Sequence, residues 1–188
     1  MRLICSLLVG AIFIAFSCNK PKNPSLSASD NNHALPPLAP GTKNQPVNIA
    51  TGKTTPSELI TFARSLKGTP YKYSSTDPQQ GFDCSGFVTC VFNHFGIRVP
   101  RPSVDFAFVN REIDIKNAKP GDLILFTGTD STTRTVGHMG IVVSNHMGDV
   151  IFIHATSRDN KGVTETPLDP YYRQRYIKTI RVFPQNDQ

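Results

Sequence analysis

From residue 56 onward the spacing of apolar positions changes once, from a helical period to a strand period. Thr55-Pro56-Ser57-Glu58 sets a Thr and a Glu at capping-box spacing with proline at the first helical position, which predicts a helix start. Ile60, Phe62 and Leu66 carry that helix toward a stop at Gly68. Turn residues from Ser74 to Gly81 lead into GFDCSGFVTCVFNHFG, residues 81–96. There Phe87, Val88, Val91, Phe92 and Phe95 recur at helical spacing, and Gly96 ends the run. Val104 to Val109 is expected to add a short helix. Beyond it, 122–126, 136–143, 150–155 and 176–183 are short apolar runs rich in β-branched and aromatic residues, bounded by Gly, Pro, Asn and Asp.

Helices first and strands later predict an α+β domain over 56–184, with N-terminal helices packed on an antiparallel sheet. Residues 144–148 read as a five-residue hairpin loop between the middle strands. In that register Val143 faces Asp149, and His138 falls directly across from His154. A slip of one residue would turn one histidine to the other face.

The chain ahead of the domain has a different character. Residues 19–55 hold six prolines, much Asn, Ser, Thr and Lys, and no Phe, Tyr or Trp. Such a stretch buries too little apolar surface to order itself, so residues 18–55 read as a tether. As a coil of about 37 residues it would span roughly 30 to 35 Å. Residues 1–17 carry Arg2 and then an apolar run from Leu3 to Phe16. That run is shorter than the ~20 residues of a membrane span, so a secretory signal is the better reading. Its end, Ala15-Phe16-Ser17-Cys18, resembles a lipobox, with Cys18 as the acylated first residue after cleavage; an uncleaved anchor would leave the same topology. More than one acyl chain on Cys18 would hold the chain to a membrane facing the periplasm or cell wall.

Charge adds little. The formal net charge is +6, which suits acidic wall polymers or anionic lipids as well as plain solubility. An exported chain without a nucleic-acid motif is not expected to bind nucleic acid.

The four cysteines are Cys5, Cys18, Cys84 and Cys90. Cys84 and Cys90 would lie roughly 9 Å apart along a helix, beyond the ~7 Å limit between Cα atoms of a disulfide. Cys90 sits among apolar residues and reads as core filler. Cys84 stands at a helix start, where free N–H groups and the helix dipole favour a thiolate. A small core residue is the alternative there. His33, His94 and His146 fall in the tether, at a helix end and in a hairpin loop, and read as solvated. His138 and His154 each interrupt an apolar strand. Two facing histidines and a helix-start cysteine make a nucleophile, a base and an orienting group. A zinc site would need close-spaced ligand pairs and a fourth ligand that the sequence does not offer, so no metal or other cofactor is expected.

Gly81-Phe82-Asp83-Cys84-Ser85-Gly86-Phe87-Val88, Val99-Pro100-Arg101, Pro120-Gly121-Asp122-Leu123, Val136-Gly137-His138-Met139-Gly140-Ile141 and Phe152-Ile153-His154-Ala155 together resemble the NlpC-type family of cell-wall cysteine peptidases. The order and spacing match over roughly residues 58–183. The resemblance implies a papain-like fold and hydrolysis of peptidoglycan stem peptides between γ-D-glutamate and a diamino acid. It implies Cys84 as nucleophile, His138 as base and His154 as third polar member. It also implies Tyr71 as a cleft hydroxyl, and Asp83 and Ser85 as substrate contacts. The protein would act as a monomer. An amidase or acyltransferase on the same fold would keep the same triad, and a wall-binding lipoprotein with a relic site is the non-enzymatic alternative. Two departures bear on specificity: Ser74-Ser75 where the family often has two glycines, and Phe106 where it commonly has glutamine.

Overall fold

The computed structural model describes residues 35–188, so the leader and the expected acylation site Cys18 lie outside the described residues. The first helix, α1, is Pro56–Ser65, and its capping box is complete. The Thr55 N–H donates to Glu58 Oε2 at 2.8 Å, and the Glu58 N–H donates to Thr55 Oγ1 at 3.3 Å. Two short strands, β1 (Thr76–Asp77) and β2 (Gly81–Phe82), pair just before α2, Cys84–His94. Cys84 through Thr89, Val91 and Phe92 of α2 are all buried, as a helix apolar nearly all round must be. A 3-10 helix, Ser103–Phe108, follows where a short helix was expected, and Phe106 is fully buried in it.

The sheet is antiparallel throughout, in the order β3-β8-β4-β5-β6-β7. Its strands are β3 (Glu112–Ile113), β4 (Leu123–Thr127), β5 (Val136–His146), β6 (Asp149–Thr156), β7 (Gly162–Pro167) and β8 (Tyr176–Ile180), with α3 (Pro170–Arg173) before β8. β4 is buried on both faces, which explains its unbroken apolar run. Leu123 and Leu125 join the core shared with α1 and α2, while Ile124 and Phe126 join a second core with Val142, Phe152 and Tyr172. Ahead of β4, Asp122 is fully buried; it accepts from the Lys119 N–H at 2.8 Å and pairs with Arg181 at 3.2 Å. The carboxylate of the Pro-Gly-Asp motif is therefore structural.

The expected tether is shorter than its composition suggests. The Leu38 N–H donates to the Val99 carbonyl at 2.9 Å, Val47 bridges Val109, and Ile49 and Thr51 are buried. A few apolar side chains in a polar stretch suffice to bind a groove on a domain that is already folded, although they could not fold alone. At the other end, Asn186 is buried and Asp187 pairs with Arg111, so packing runs past 184.

The central hairpin also differs from expectation. β5 and β6 are joined through Met147 and Gly148, at φ 53° and 98°, rather than by five residues. Positive φ at both positions suits the tight turns that match strand twist. His146 pairs with Asp149 and Ser144 with Ile151, then Val142 pairs with Phe152, leaving Val143 as an unpaired bulge. Continued toward the site, this register sets Gly140, not His138, beside His154; a Cβ on Gly140 would fall 3.1 Å from the His154 Cβ. The two histidines stay on one face because the bulge adds one residue to one strand. Without it they would point to opposite faces.

Candidate active site

Cys84 is the first residue of α2, and Asp83 is its N-cap. The Asp83 carboxylate accepts from the Gly86 N–H at 2.5 Å and from the Ser85 hydroxyl at 3.2 Å. Arg101 grips the same carboxylate with two bonds, 2.7 and 3.1 Å, and donates to Ser85 Oγ at 2.9 Å. This paired, fork-shaped contact locks the helix start where Cys84 sits. Gly86 is needed because a Cβ there would stand 2.0 Å from the Ser75 carbonyl oxygen. Ser74 occupies the left-handed region at φ 58°, which accounts for glycine at this turn in the resembling family.

The sulfur of Cys84 lies 3.9 Å from the carbonyl oxygen of Gly137, the residue before His138. His138 Nε2 and His154 Nδ1 are 2.8 Å apart, and His154 Nε2 is 3.0 Å from Thr166 Oγ1. His138 makes no other side-chain hydrogen bond among the described residues. For its Nδ1 to accept a proton, its Nε2 must carry one and donate it to His154 Nδ1. His154 then carries its proton on Nε2 and donates it to Thr166. The three side chains form a chain of one direction, ending on the edge strand β7. Phe126, Phe152 and Tyr172 pack around both rings, and His154 is fully buried.

Burial sets the resting protonation. It pushes the Cys84 thiol up to about 11, with the Asp83 carboxylate adding to the effect, against smaller opposing backbone hydrogen bonds. Burial, and then the Arg175 guanidinium, lowers His138 to about 3. Burial, followed by the charges of His138 and Arg175, also holds His154 well below the usual imidazole range. Burial thus raises the thiol and lowers both imidazoles, so desolvation opposes the thiolate that the helix start favours.

Two cavities meet at Cys84. One, about 300 Å³, is lined by Cys84, His138, Tyr171, Tyr172, Arg158 and Arg175. The other, about 420 Å³, is lined by Cys84, Asp83, Ser85, Arg101, Tyr73 and Ser74. Tyr71 and Gly137 border both. Tyr71 is partly exposed, and burial first, then the Cys84 and Asp83 charges, raises its hydroxyl above the ordinary range. Tyr71, Asp83, Cys84, Ser85 and His138 thus line this cleft, and His154 supports it through His138. Phe106 does not; it fills the core.

Cys90 is a free thiol packed at the edge of the core, partly exposed, and pushed up to about 11 by burial. His94 is exposed, yet its ring stacks on Phe62 at 3.6 Å between centroids. Sequence reasoning missed Thr166, Arg175 and the Asp83 partner Arg101. Arg101 stood in a quoted motif, but nothing local ties it to a carboxylate 18 residues away.

A buried helix carrying a cysteine at its start, packed on an antiparallel sheet that supplies paired histidines, is the papain-like α+β arrangement. A family model described as the NlpC/P60 family matches residues 68–181, and the chain belongs to that family. It is 29% identical over 134 residues to the gamma-DL-glutamyl hydrolase of Bacillus subtilis (strain 168), a match covering 71% of this chain and 32% of that protein. It is 31% identical over 128 residues to the murein DD-endopeptidase MepS/murein LD-carboxypeptidase of Escherichia coli (strain K12), covering 67% and 62%. A solved NlpC/P60 family protein from Bacillus cereus superposes with a TM-score of 0.62 at 27% identity, covering 71% of this chain and 42% of that one. The chain spans about a third of the first relative's length and under two thirds of the second's.

Proposed function

We propose that the protein is a cysteine endopeptidase that cleaves peptidoglycan stem peptides at the bond between γ-D-glutamate and the following diamino acid. The observation that carries this reading is the hydrogen-bonded row of His138, His154 and Thr166, whose His138 end opens on the same cavity as Cys84. The names of the relatives supply the substrate class but name different bonds, so the bond is assigned here by proposal.

In the proposed reaction His138 Nδ1 takes the thiol proton as Cys84 Sγ attacks the scissile carbonyl. Burial of both groups disfavours separated charges, so proton transfer accompanies attack. The Cys84 backbone N–H and the Tyr71 hydroxyl stabilise the oxyanion, a role worth about 2.7 to 4 kcal/mol per donor. The imidazolium returns the proton to the leaving amine, which departs as the C–N bond breaks and a thioester forms. Water then attacks the thioester, gives a proton to His138, and the resulting carboxylic acid leaves as the thiol is restored.

The leaving amine must lie within reach of His138. The cavity lined by His138 is therefore the leaving side, and the cavity lined by Asp83, Ser85 and Arg101 holds the acyl side. Asp83 and Ser85 contact the substrate's amino end there, but the Asp83 charge is already matched by Arg101. A free α-amine consequently meets an ion pair and gains less than it would from a lone carboxylate.

Digestion of purified peptidoglycan, with mass spectrometry of the fragments, tests the assignment. Products ending in γ-D-glutamate are expected; fragments from a different bond only would overturn the bond assignment. Products carrying a second amine in place of water would point to acyl transfer, and no change in the sacculus would leave a wall-binding role. The anchor is a separate proposal, motivated by the lipobox-like Ala15-Phe16-Ser17-Cys18. Cys18→Ser is expected to move the protein from the membrane to the soluble fraction. Unchanged partition, with no lipid mass on Cys18 of the parent protein, would favour an uncleaved anchor.

A further inference from the structure

The two halves of the cleft differ in charge. On the acyl side Arg101 is matched by Asp83. On the leaving side two guanidinium groups line the cavity, and no carboxylate does. Arg175 is only 6% exposed, yet its acceptors are all neutral: the carbonyls of Gly128 and Thr127 at 3.0 and 2.9 Å and the Tyr171 hydroxyl at 2.7 Å. These engage three of its five N–H donors, and a buried cation without a counter-ion is a costly arrangement. Arg158 lies over the Tyr171 ring at 4.2 Å, with Arg175 near the same ring at 4.9 Å. Asp159 and Asp169 approach Arg158 at 3.7 and 4.0 Å, but Asp159 is exposed, Asp169 is the half-buried N-cap of α3, and neither lines the cavity.

We propose that Arg158, Tyr171 and Arg175 form a seat for a free carboxylate on the substrate residue that supplies the departing amine. The seat makes the enzyme selective for stem peptides whose leaving residue ends in an acid rather than in a further peptide bond. Size agrees with the inference, because a cavity of about 300 Å³ has room for one amino-acid residue together with its carboxylate. Position supports it too: the seat and His138 share that cavity, so a residue whose amine faces His138 keeps its carboxylate within the same enclosure. A seated anion also offsets the positive field that, after burial, depresses His138, so the right substrate strengthens its own base.

The inference rests on the proposed γ-glutamyl cleavage, and the test separates the two. The full-length protein is given L-alanyl-γ-D-glutamyl-L-lysine as the free acid, the same peptide as the C-terminal carboxamide, and the carboxamide of the diaminopimelate analogue, which keeps a side-chain carboxylate. The acid is expected to exceed the lysine amide by about 10- to 100-fold in kcat/KM, mostly through KM, the range for a charge-assisted contact. Arg158→Gln and Arg175→Gln should each shrink that ratio toward one, chiefly by slowing the acid. Recovery with the diaminopimelate amide would assign the seat to the side-chain carboxylate; failure to recover would assign it to the α-carboxylate. Equal rates for acid and amide in the parent enzyme would overturn the seat and leave the cleavage reading standing. A ratio unchanged in both variants would overturn the residue assignment, and a variant that slows acid and amide alike would make that arginine merely structural. If Arg175→Gln fails to fold, the half-exposed Arg158→Gln decides alone. Cleavage of none of the three peptides would instead overturn the γ-glutamyl assignment itself, and the seat with it.

Discussion

His138→Ala lowers kcat/KM on stem peptides by about 10²- to 10⁴-fold, the range for losing a general acid–base group, while His154→Gln retains measurable activity. The difference follows from the chain of hydrogen bonds. In the proposed mechanism His138 takes the thiol proton and gives it to the leaving amine. With His138 Nδ1 free to take a proton, His154 accepts one bond from His138 Nε2 and passes one to Thr166. An amide can do both, since its oxygen accepts and its nitrogen donates, so His154→Gln or His154→Asn keeps the tautomer of His138 fixed. His154→Ala leaves a buried N–H without a partner and falls below either. The measurement is kcat/KM for each variant, with circular dichroism and thermal melting to establish that it folds. A folded His154→Gln as inactive as His138→Ala would make His154 a proton carrier and end this division of roles.

Cys84→Ala abolishes cleavage without unfolding the domain, and Cys90→Ala keeps cleavage at a stability cost of about 1 kcal/mol for a partly buried side chain. Alkylation provides the sharper comparison. Both thiols are raised to about 11, and Cys90 is the more exposed of the two, so access and acidity alone favour Cys90. Only Cys84 shares a cavity with an imidazole able to take its proton. Peptide mapping after brief iodoacetamide treatment at neutral pH is expected to find Cys84 labelled first. In His138→Ala that advantage should vanish while Cys90 labelling stays the same. Faster labelling of Cys90 in the native protein would remove Cys84 as nucleophile.

The helix bearing the nucleophile was legible because its signals are local: an N-capping Asp83, an apolar run at helical spacing and a terminating Gly96. The strands of the central sheet were legible for the same reason. β7 was not, because Gly162–Pro167 lies at the sheet edge and reads as polar turn sequence, and with it went Thr166. The pairing of Asp83 with Arg101 and the placing of Arg175 beside the histidines depend on chain crossings that no spacing rule records. The helix start at Cys84 can be read from sequence, but the depth of its burial, which opposes ionisation, cannot. The hairpin shows a subtler limit. The sequence put His138 and His154 on one face, and so does the structure, but through a two-residue turn and an unpaired Val143 instead of a five-residue loop.

That unpaired valine gives the hairpin something like a reading frame. β4 fixes the face of His138 by pairing it with Phe126, and β7 fixes that of His154 by pairing it with Thr164, so neither can rotate to follow the other. Between the bulge and the histidines, a gain or loss of one residue is a frameshift that parts the rings, whereas a gain or loss of two preserves parity. Beyond the bulge, the tip at Met147 and Gly148 lies outside the frame. Natural variation and engineered insertions can therefore gather at the tip, such as an added epitope or a longer turn, while the inner hairpin changes length only in even steps.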